Sequence, residues 1–254
     1  MIVDLVIPAR NEAENIGALF EALPAGVFRR VVVGDNGSTD ATAALVRERG
    51  GEVVAESRMG YGSACLAALG WIRDRGDVPD AVAFLDADLS DDPASLPELI
   101  GVLERGEANL AMGCRTRLAD NGALDPHQRF GTGLACWLAW LTTGARYRDL
   151  GPMRVIRWEA LERLEMVDRT WGWTIEMQVK AATRGVRAVE VDVPYRKRHA
   201  GRSKITGSLW VSARVGVRII WTVGVLWWGE RGKRVASATA GEITPLKGRG
   251  TRRS

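Results

Sequence analysis

The first 112 residues repeat one pattern: a short, nearly solid apolar run, then a stretch with helical spacing. The apolar runs lie at 2–7, 30–33, 52–55, 81–85 and 109–112. Runs this short and this continuous predict strands buried on both faces. Between them, 12–23, 41–49, 61–75 and 93–104 carry apolar residues at steps of three and four, the spacing of an amphipathic helix. In the third of these, Ala64, Ala67, Ala68, Trp71 and Ile72 share one face. Gly50-Gly51 stops the second helix, and Ser38 or Thr39 is placed to cap its start. Such alternation predicts an α/β fold, a mostly parallel sheet with helices on both faces. Ligands of these sheets bind at the carboxyl ends of the strands. Three polar clusters fall there: 8–12, 35–40 and 86–92. A single sheet edge would gather all three.

The second half is less regular. Residues 130–143 read as an apolar helix, 149–152 as a turn, 174–184 as a helix and 186–193 as a strand. A further amphipathic helix is expected over 209–228. Its Trp210, Trp221, Trp227 and Trp228 with Arg214 and Arg218 suit a membrane interface or a protein face equally. The polar tail 232–254 is expected to be disordered.

With 254 residues, 46% hydrophobic and 26% charged, the chain can bury a substantial core. This excludes a disordered protein, a collagen-like fibre and a disulfide-held miniprotein. Three cysteines at unrelated spacings read as reduced thiols of a cytoplasmic protein. Two histidines are too few for a histidine zinc site and argue against a Ser-His-Asp triad. No leader pattern opens the chain. The longest late apolar run, 219–229, has 11 residues, where a spanning helix needs about 20.

Charge changes the picture more. Residues 193–254 hold 14 of the 35 Lys and Arg but only two of the 31 Asp and Glu. A basic end on an acidic body suggests an anionic partner. The run Arg196-Lys197-Arg198-His199-Ala200-Gly201-Arg202-Ser203-Lys204 suits a diphosphate clamp, a solvated charge run or a nucleic-acid patch. Asp86-Ala87-Asp88 sets two carboxylates at a strand end, where hard oxygen ligands suit Mg²⁺ or Mn²⁺.

Seven segments in order carry a family resemblance: IPARNEAENI (7–16), GDNGSTDAT (34–42), GYGSACLAAL (60–69), FLDADLSDDP (84–93), MGCRTR (112–117), DLGPMRVIR (149–157) and RHAGRSK (198–204). The chain resembles family-2 glycosyltransferases of the GT-A fold. More narrowly, it resembles dolichyl- and polyprenyl-phosphate mannose or glucose synthases. The resemblance implies a glycosyltransferase domain over 1–205, with a nucleotide-binding half (1–113) and an acceptor half (114–205). A membrane-interfacial helix (206–230) and a basic tail (231–254) would follow. It implies that Pro8, Arg10 and Glu12 line the nucleoside pocket, with Asp35 and Asn36 as its second wall. Asp86, Ala87 and Asp88 would hold the donor, Asp88 with Ser90 would hold the metal, and Arg115, Arg198 and Lys204 would face phosphates. Asp86, Asp88, Arg198 and Lys204 carry the expected catalytic role. Arg10, Asn36 and Ser90 stand where the family often has Tyr, Asp and Gln.

The resulting expectation is an inverting, metal-dependent transfer of a hexose from a nucleotide-diphosphate sugar, of UDP-glucose or GDP-mannose type, to a polyprenyl phosphate. It would occur at the cytoplasmic membrane face, with peripheral membrane contact. A lipid phosphate is already anionic and needs no base. A hydroxyl acceptor, as for a soluble family-2 enzyme, would need one, with Asp91, Asp92 and Glu176 as candidates. A sugar nucleotidyltransferase is disfavoured because 8–15 contains no glycine. A nucleic-acid partner is disfavoured by the absence of a known binding motif. Self-association is left open.

Overall fold

The computed structural model describes residues 1–200 and Gly224. Apart from Gly224, the helix expected over 206–230, the tail 231–254 and Lys204 lie outside the described residues.

Seven strands form one sheet: β1 (Val3–Ala9), β2 (Arg30–Asp35), β3 (Glu52–Ala55), β4 (Ala81–Phe84), β5 (Leu110–Cys114), β6 (Arg154–Arg157) and β7 (Ala188–Asp192). Their order is β3-β2-β1-β4-β6-β5-β7. All pairs are parallel except those of β6, which runs against both β4 and β5. The helices are α1 (Ala13–Ala22), α2 (Thr42–Glu48), α3 (Tyr61–Asp74), α4 (Leu96–Glu104), α5 (Pro126–Thr143), α6 (Trp158–Leu164) and α7 (Trp173–Thr183).

Successive strand residues point to opposite faces, so each strand feeds two cores. Val6, Val32, Val82, Phe84 and Ile156 pack against α3, α5, α6 and α7. Leu5, Ile7, Val33, Ala83 and Val155 pack against α1, α2 and α4. That is why the strands read as solid apolar runs.

The structure departs from the sequence reading in four places. Strand β6 and helix α6 were not expected. Helix α5 begins at Pro126, earlier than 130, where Gln128 Oε1 accepts the Asp125 N–H at 3.2 Å. The fourth helix opens as a 3-10 turn, Pro93–Ser95. At the start of α2 the Thr42 N–H is held by the Asp40 carboxylate at 3.0 Å, not by Ser38 or Thr39. Ser38 Oγ instead accepts the Asn11 N–H at 2.9 Å, and the Thr39 N–H bonds Asn11 Oδ1 at 2.8 Å. Both residues are spent on tying the first strand-end loop to the second.

Candidate active site

Strands β1, β2 and β4 end side by side: Ala9 pairs with Asp35, and Val6 with Phe84. The chain leaves β1 towards β2 and β3, then returns to β4 on the other flank. Strand order therefore reverses between β1 and β4, the place where such sheets bind ligands.

Three loops meet at that crevice. The Arg198 guanidinium lies 3.2 Å from Glu12 Oε1 and 3.0 Å from Asp88 Oδ2. It thus joins the loop after β1 to the loop after β4, and it comes from the loop after β7. Backbone bonds seat that third loop: the His199 N–H donates to the Asp88 carbonyl at 3.1 Å, and the Arg196 N–H to the Ser90 carbonyl at 2.8 Å. Glu12 is itself positioned. Its N–H donates to Thr42 Oγ1 at 2.9 Å, and its Oε2 accepts from Asn15 Nδ2 at 2.7 Å.

The Asp86 carboxylate accepts the Tyr61 hydroxyl at 3.0 Å. Burial, and then the charge of Asp88, push Asp86 up to about 7. Ala87 is buried between the two. Asp88 Oδ1 accepts the Ser90 N–H at 3.0 Å, leaving Oδ2 on Arg198. Among the described residues no group of three or more His, Cys, Asp or Glu is arranged to hold a metal. The Asp86–Asp88 pair nonetheless fits a divalent cation that takes its other ligands from diphosphate oxygens and water. One carboxyl is raised by the other's charge, and Asp88 already binds a cationic group. Ser90 is buried beside the pair, with its N–H on Asp88 Oδ1.

Tyr61 was not singled out from sequence, and its placement is indirect. Glu176 is fully buried in an ion pair with Lys180 at 2.7 Å and accepts the N–H groups of Val167 and Asp168 at 3.0 and 2.8 Å. The loop so held meets the start of α3, where Gly62 N–H donates to the Thr170 carbonyl and Ser63 N–H to the Arg169 carbonyl. A Cβ on Gly60 or Gly62 would strike the Arg169 or Asp168 carbonyl oxygen. Glycines on both sides of Tyr61 therefore let two backbones touch. Glu176, a candidate base, is committed to this scaffold instead.

The remaining expected residues fall as follows. Asp35 is buried and accepts the Ser38 N–H at 3.1 Å. Asn36 braces the loop 56–60: its Nδ2 donates to the Glu56 and Arg58 carbonyls at 3.2 and 2.8 Å, and its Oδ1 accepts the Gly60 N–H at 2.7 Å. Pro8 is half-buried near the end of β1, and Arg10 is exposed beyond it. Arg115 is buried, with Nε and one terminal nitrogen on the Asp149 carboxylate at 2.8 and 2.9 Å and the Tyr195 ring 4.9 Å from its guanidinium carbon. Its charge is matched inside the protein. Asp92 accepts the Ala94 N–H at 3.1 Å and pairs with Arg196 at 3.3 Å. Asp91 is buried, and burial pushes it up to about 8. Neither of its carboxylate oxygens has a hydrogen-bond partner among the described residues.

Residues 4–164 match the family model described as glycosyl transferase family 2. The chain belongs to glycosyltransferase family 2. This glycosyltransferase is 42% identical over 208 residues to an uncharacterized glycosyltransferase of Mycobacterium tuberculosis, covering 82% of this chain and 91% of that one. It is 28% identical over 257 residues to the undecaprenyl-phosphate mannosyltransferase of Micrococcus luteus, covering 92% and 99%. Its fold matches the Mycobacterium tuberculosis glucosyl-3-phosphoglycerate synthase in complex with Mn²⁺, uridine diphosphate and glucosyl-3-phosphoglycerate. That match has a TM-score of 0.69 and 23% identity, covering 91% of this chain and 80% of that one. The glycosyltransferase thus has the GT-A fold.

Proposed function

We propose that the enzyme moves a hexosyl group from a nucleotide-diphosphate sugar to the phosphate of a polyprenyl carrier, inverting the anomeric centre, at the cytoplasmic face of a membrane. The Glu12–Arg198–Asp88 bridge carries this reading. It sets the start of a strongly basic segment against the acidic pair, where a nucleotide diphosphate and a second phosphate both need countercharge. The M. luteus relative, named for a lipid-phosphate acceptor, supports the carrier, and the uridine diphosphate of the structural neighbour supports the donor class.

Pro8, Arg10 and Asp35 border the nucleoside, and Asn36 keeps that wall in place through the 56–60 loop. Tyr61 orients Asp86. A divalent cation, Mg²⁺ or Mn²⁺, held by Asp88 with Asp86 would neutralise charge growing on the departing diphosphate. Arg198, released from Glu12 and Asp88 towards the phosphates, adds a fixed positive fork. The acceptor's phosphate oxygen forms the new bond to the anomeric carbon. The old carbon–oxygen bond breaks and its electron pair leaves with the nucleoside diphosphate.

A hydroxyl acceptor is the second reading, and Asp91 favours it. Its carboxyl is buried with neither oxygen partnered among the described residues and is raised to about 8, so it is mostly protonated at neutral pH and gains its basic form as pH rises through 8. Radiolabelled GDP-mannose and UDP-glucose, each with Mg²⁺ or Mn²⁺ and a short-chain polyprenyl phosphate in detergent, decide between them. Label in the organic phase as an acid-labile hexosyl phosphate is expected. Label only in a water-soluble glycoside would overturn the lipid-carrier reading.

A further inference from the structure

Helix α5 buries Ala135 and Ala139 in the core. Its opposite side is bare. Phe130 is 74% exposed, Trp137 51%, Trp140 40% and Leu141 60%. With Arg129 and Gly133, also exposed, these positions recur at steps of three and four, so they form one stripe along the helix. Large aromatics standing in water along 18 residues, about 27 Å, mark a contact surface.

Charge narrows what that surface meets. Residues 126–148 contain Arg129, Arg146 and Arg148 and no Asp or Glu. Arg148 is spent on Glu190 and Asp192. Arg129 and Arg146 are exposed, and Arg146 lies over the Trp140 ring at 5.6 Å. A second copy related by a twofold axis would oppose arginine to arginine. The segment 209–228 of the same chain carries Arg214 and Arg218 and no acidic residue, so it too is like-charged. An anionic lipid surface supplies the missing charge and accepts the rings at its interface.

Topology gives the surface its use. The chain leaves the sheet after β5 at Cys114 and returns into β6 at Arg154. Because β6 is antiparallel, both points lie on the edge that holds Asp86 and Asp88. The segment that carries α5 is therefore attached to the sheet at the active-site edge, while α5 itself packs beside α7 on one face of the sheet.

We propose that the outer face of α5, with Phe130, Trp137, Trp140 and Leu141 between Arg129 and Arg146, seats in the headgroup plane of an anionic bilayer. This is a contact separate from any made by 209–228. It rests on the lipid-carrier reading for its purpose.

The test uses the full chain. The three native cysteines are buried, and a Cβ at Gly133 meets nothing within 4 Å, so Gly133→Cys can carry an environment-sensitive dye on the stripe. Phosphatidylcholine–phosphatidylglycerol vesicles should shift its emission to the blue, and headgroup-depth quenchers should reach it. The triple variant Phe130→Gln, Trp137→Gln, Leu141→Gln should lower vesicle partitioning by about tenfold or more. Its thermal unfolding and its detergent-phase activity should stay at the unsubstituted level. Unchanged partitioning, or a dye that vesicles do not move, overturns the proposal. So does a dye that is already blue without lipid and turns polar when 206–254 is deleted, or a dimer lost in the triple variant. If the unsubstituted enzyme ignores polyprenyl phosphate in detergent, the lipid-carrier reading fails while the vesicle result still decides the surface.

Discussion

Asp149→Asn is the substitution whose cost can be worked most directly. Asp149 holds Arg115 by two parallel contacts of 2.8 and 2.9 Å and also accepts its backbone N–H at 2.7 Å. The two side chains are 2% and 11% exposed. Asparagine keeps the shape but removes the charge, stranding a buried guanidinium. Breaking a buried pair from one side costs about 3–5 kcal/mol. At this chain length, about 2–4 °C per kcal/mol gives a melting temperature lower by about 6–20 °C. Urea unfolding followed by circular dichroism measures the loss. The double variant with Arg115→Met should be less damaged than Asp149→Asn alone, since no orphan charge remains. Acid adds a second readout. Burial opposes the Asp149 charge, but Arg115 overrides it and holds the carboxyl below its ordinary range. Its share of stability is complete above about pH 4 and is lost as pH falls towards the folded value. The variant should lack that part of the acid limb. A cost below about 1 kcal/mol, typical of exposed pairs, or an unaltered acid limb would refute the reasoning.

Three further outcomes are expected. Protonated Asp86 competes with a cation, and its value is about 7, so the thermal shift produced by Mn²⁺ with uridine diphosphate should grow as pH rises through neutrality. Asp88→Asn should abolish that shift, and a pH-independent shift would count against the site. Arg198→Lys keeps the charge but not the fork that spans Glu12 and Asp88. Its kcat/KM should fall about tenfold, near 1.4 kcal/mol, and full activity would show that the fork is dispensable. Gly62→Ala drives a methyl group into the Asp168 carbonyl, which should cost about 1–3 kcal/mol in a denaturant titration and displace Tyr61. Tyr61→Phe should lower activity without that cost.

The first 114 residues were legible because their strands are buried on both faces and their loops carry the acidic groups, so periodicity alone gathered Glu12, Asp35 and Asp88 at one edge. The second half was harder to read. β6 is two apolar residues between arginines, and its first, Arg154, is fully buried, with its guanidinium on the Gly151 and Thr174 carbonyls. Nothing in Arg-Val-Ile-Arg signals a central strand, still less a reversed one. Helix α6 did leave a trace, Trp158, Leu161 and Leu164 at steps of three. So did the scaffold role of Glu176, four residues before Lys180. Tyr61 left none, and neither did the bracing of the 56–60 loop by Asn36, because these contacts join residues far apart in the chain. Arg115 was read as facing phosphate, and its tie to Asp149 spans 34 positions that no local pattern connects.

The reversed strand has one more consequence. The chain passes out and back through a narrow neck, where Gly113 N–H donates to the Met153 carbonyl at 2.9 Å and Arg115 grips Asp149. A Cβ on Gly151 would come within 2.6 Å of the Gly113 carbonyl oxygen, so that neck admits nothing larger than glycine. Beyond the neck the segment is still held to the sheet by Ala135, Ala139 and Tyr147 in the core and by Arg148 on Glu190, so only its outer surface is free to vary. Variation between β5 and β6 is thereby confined to the outer surface of that excursion, while the crevice between β1 and β4 stays as it is.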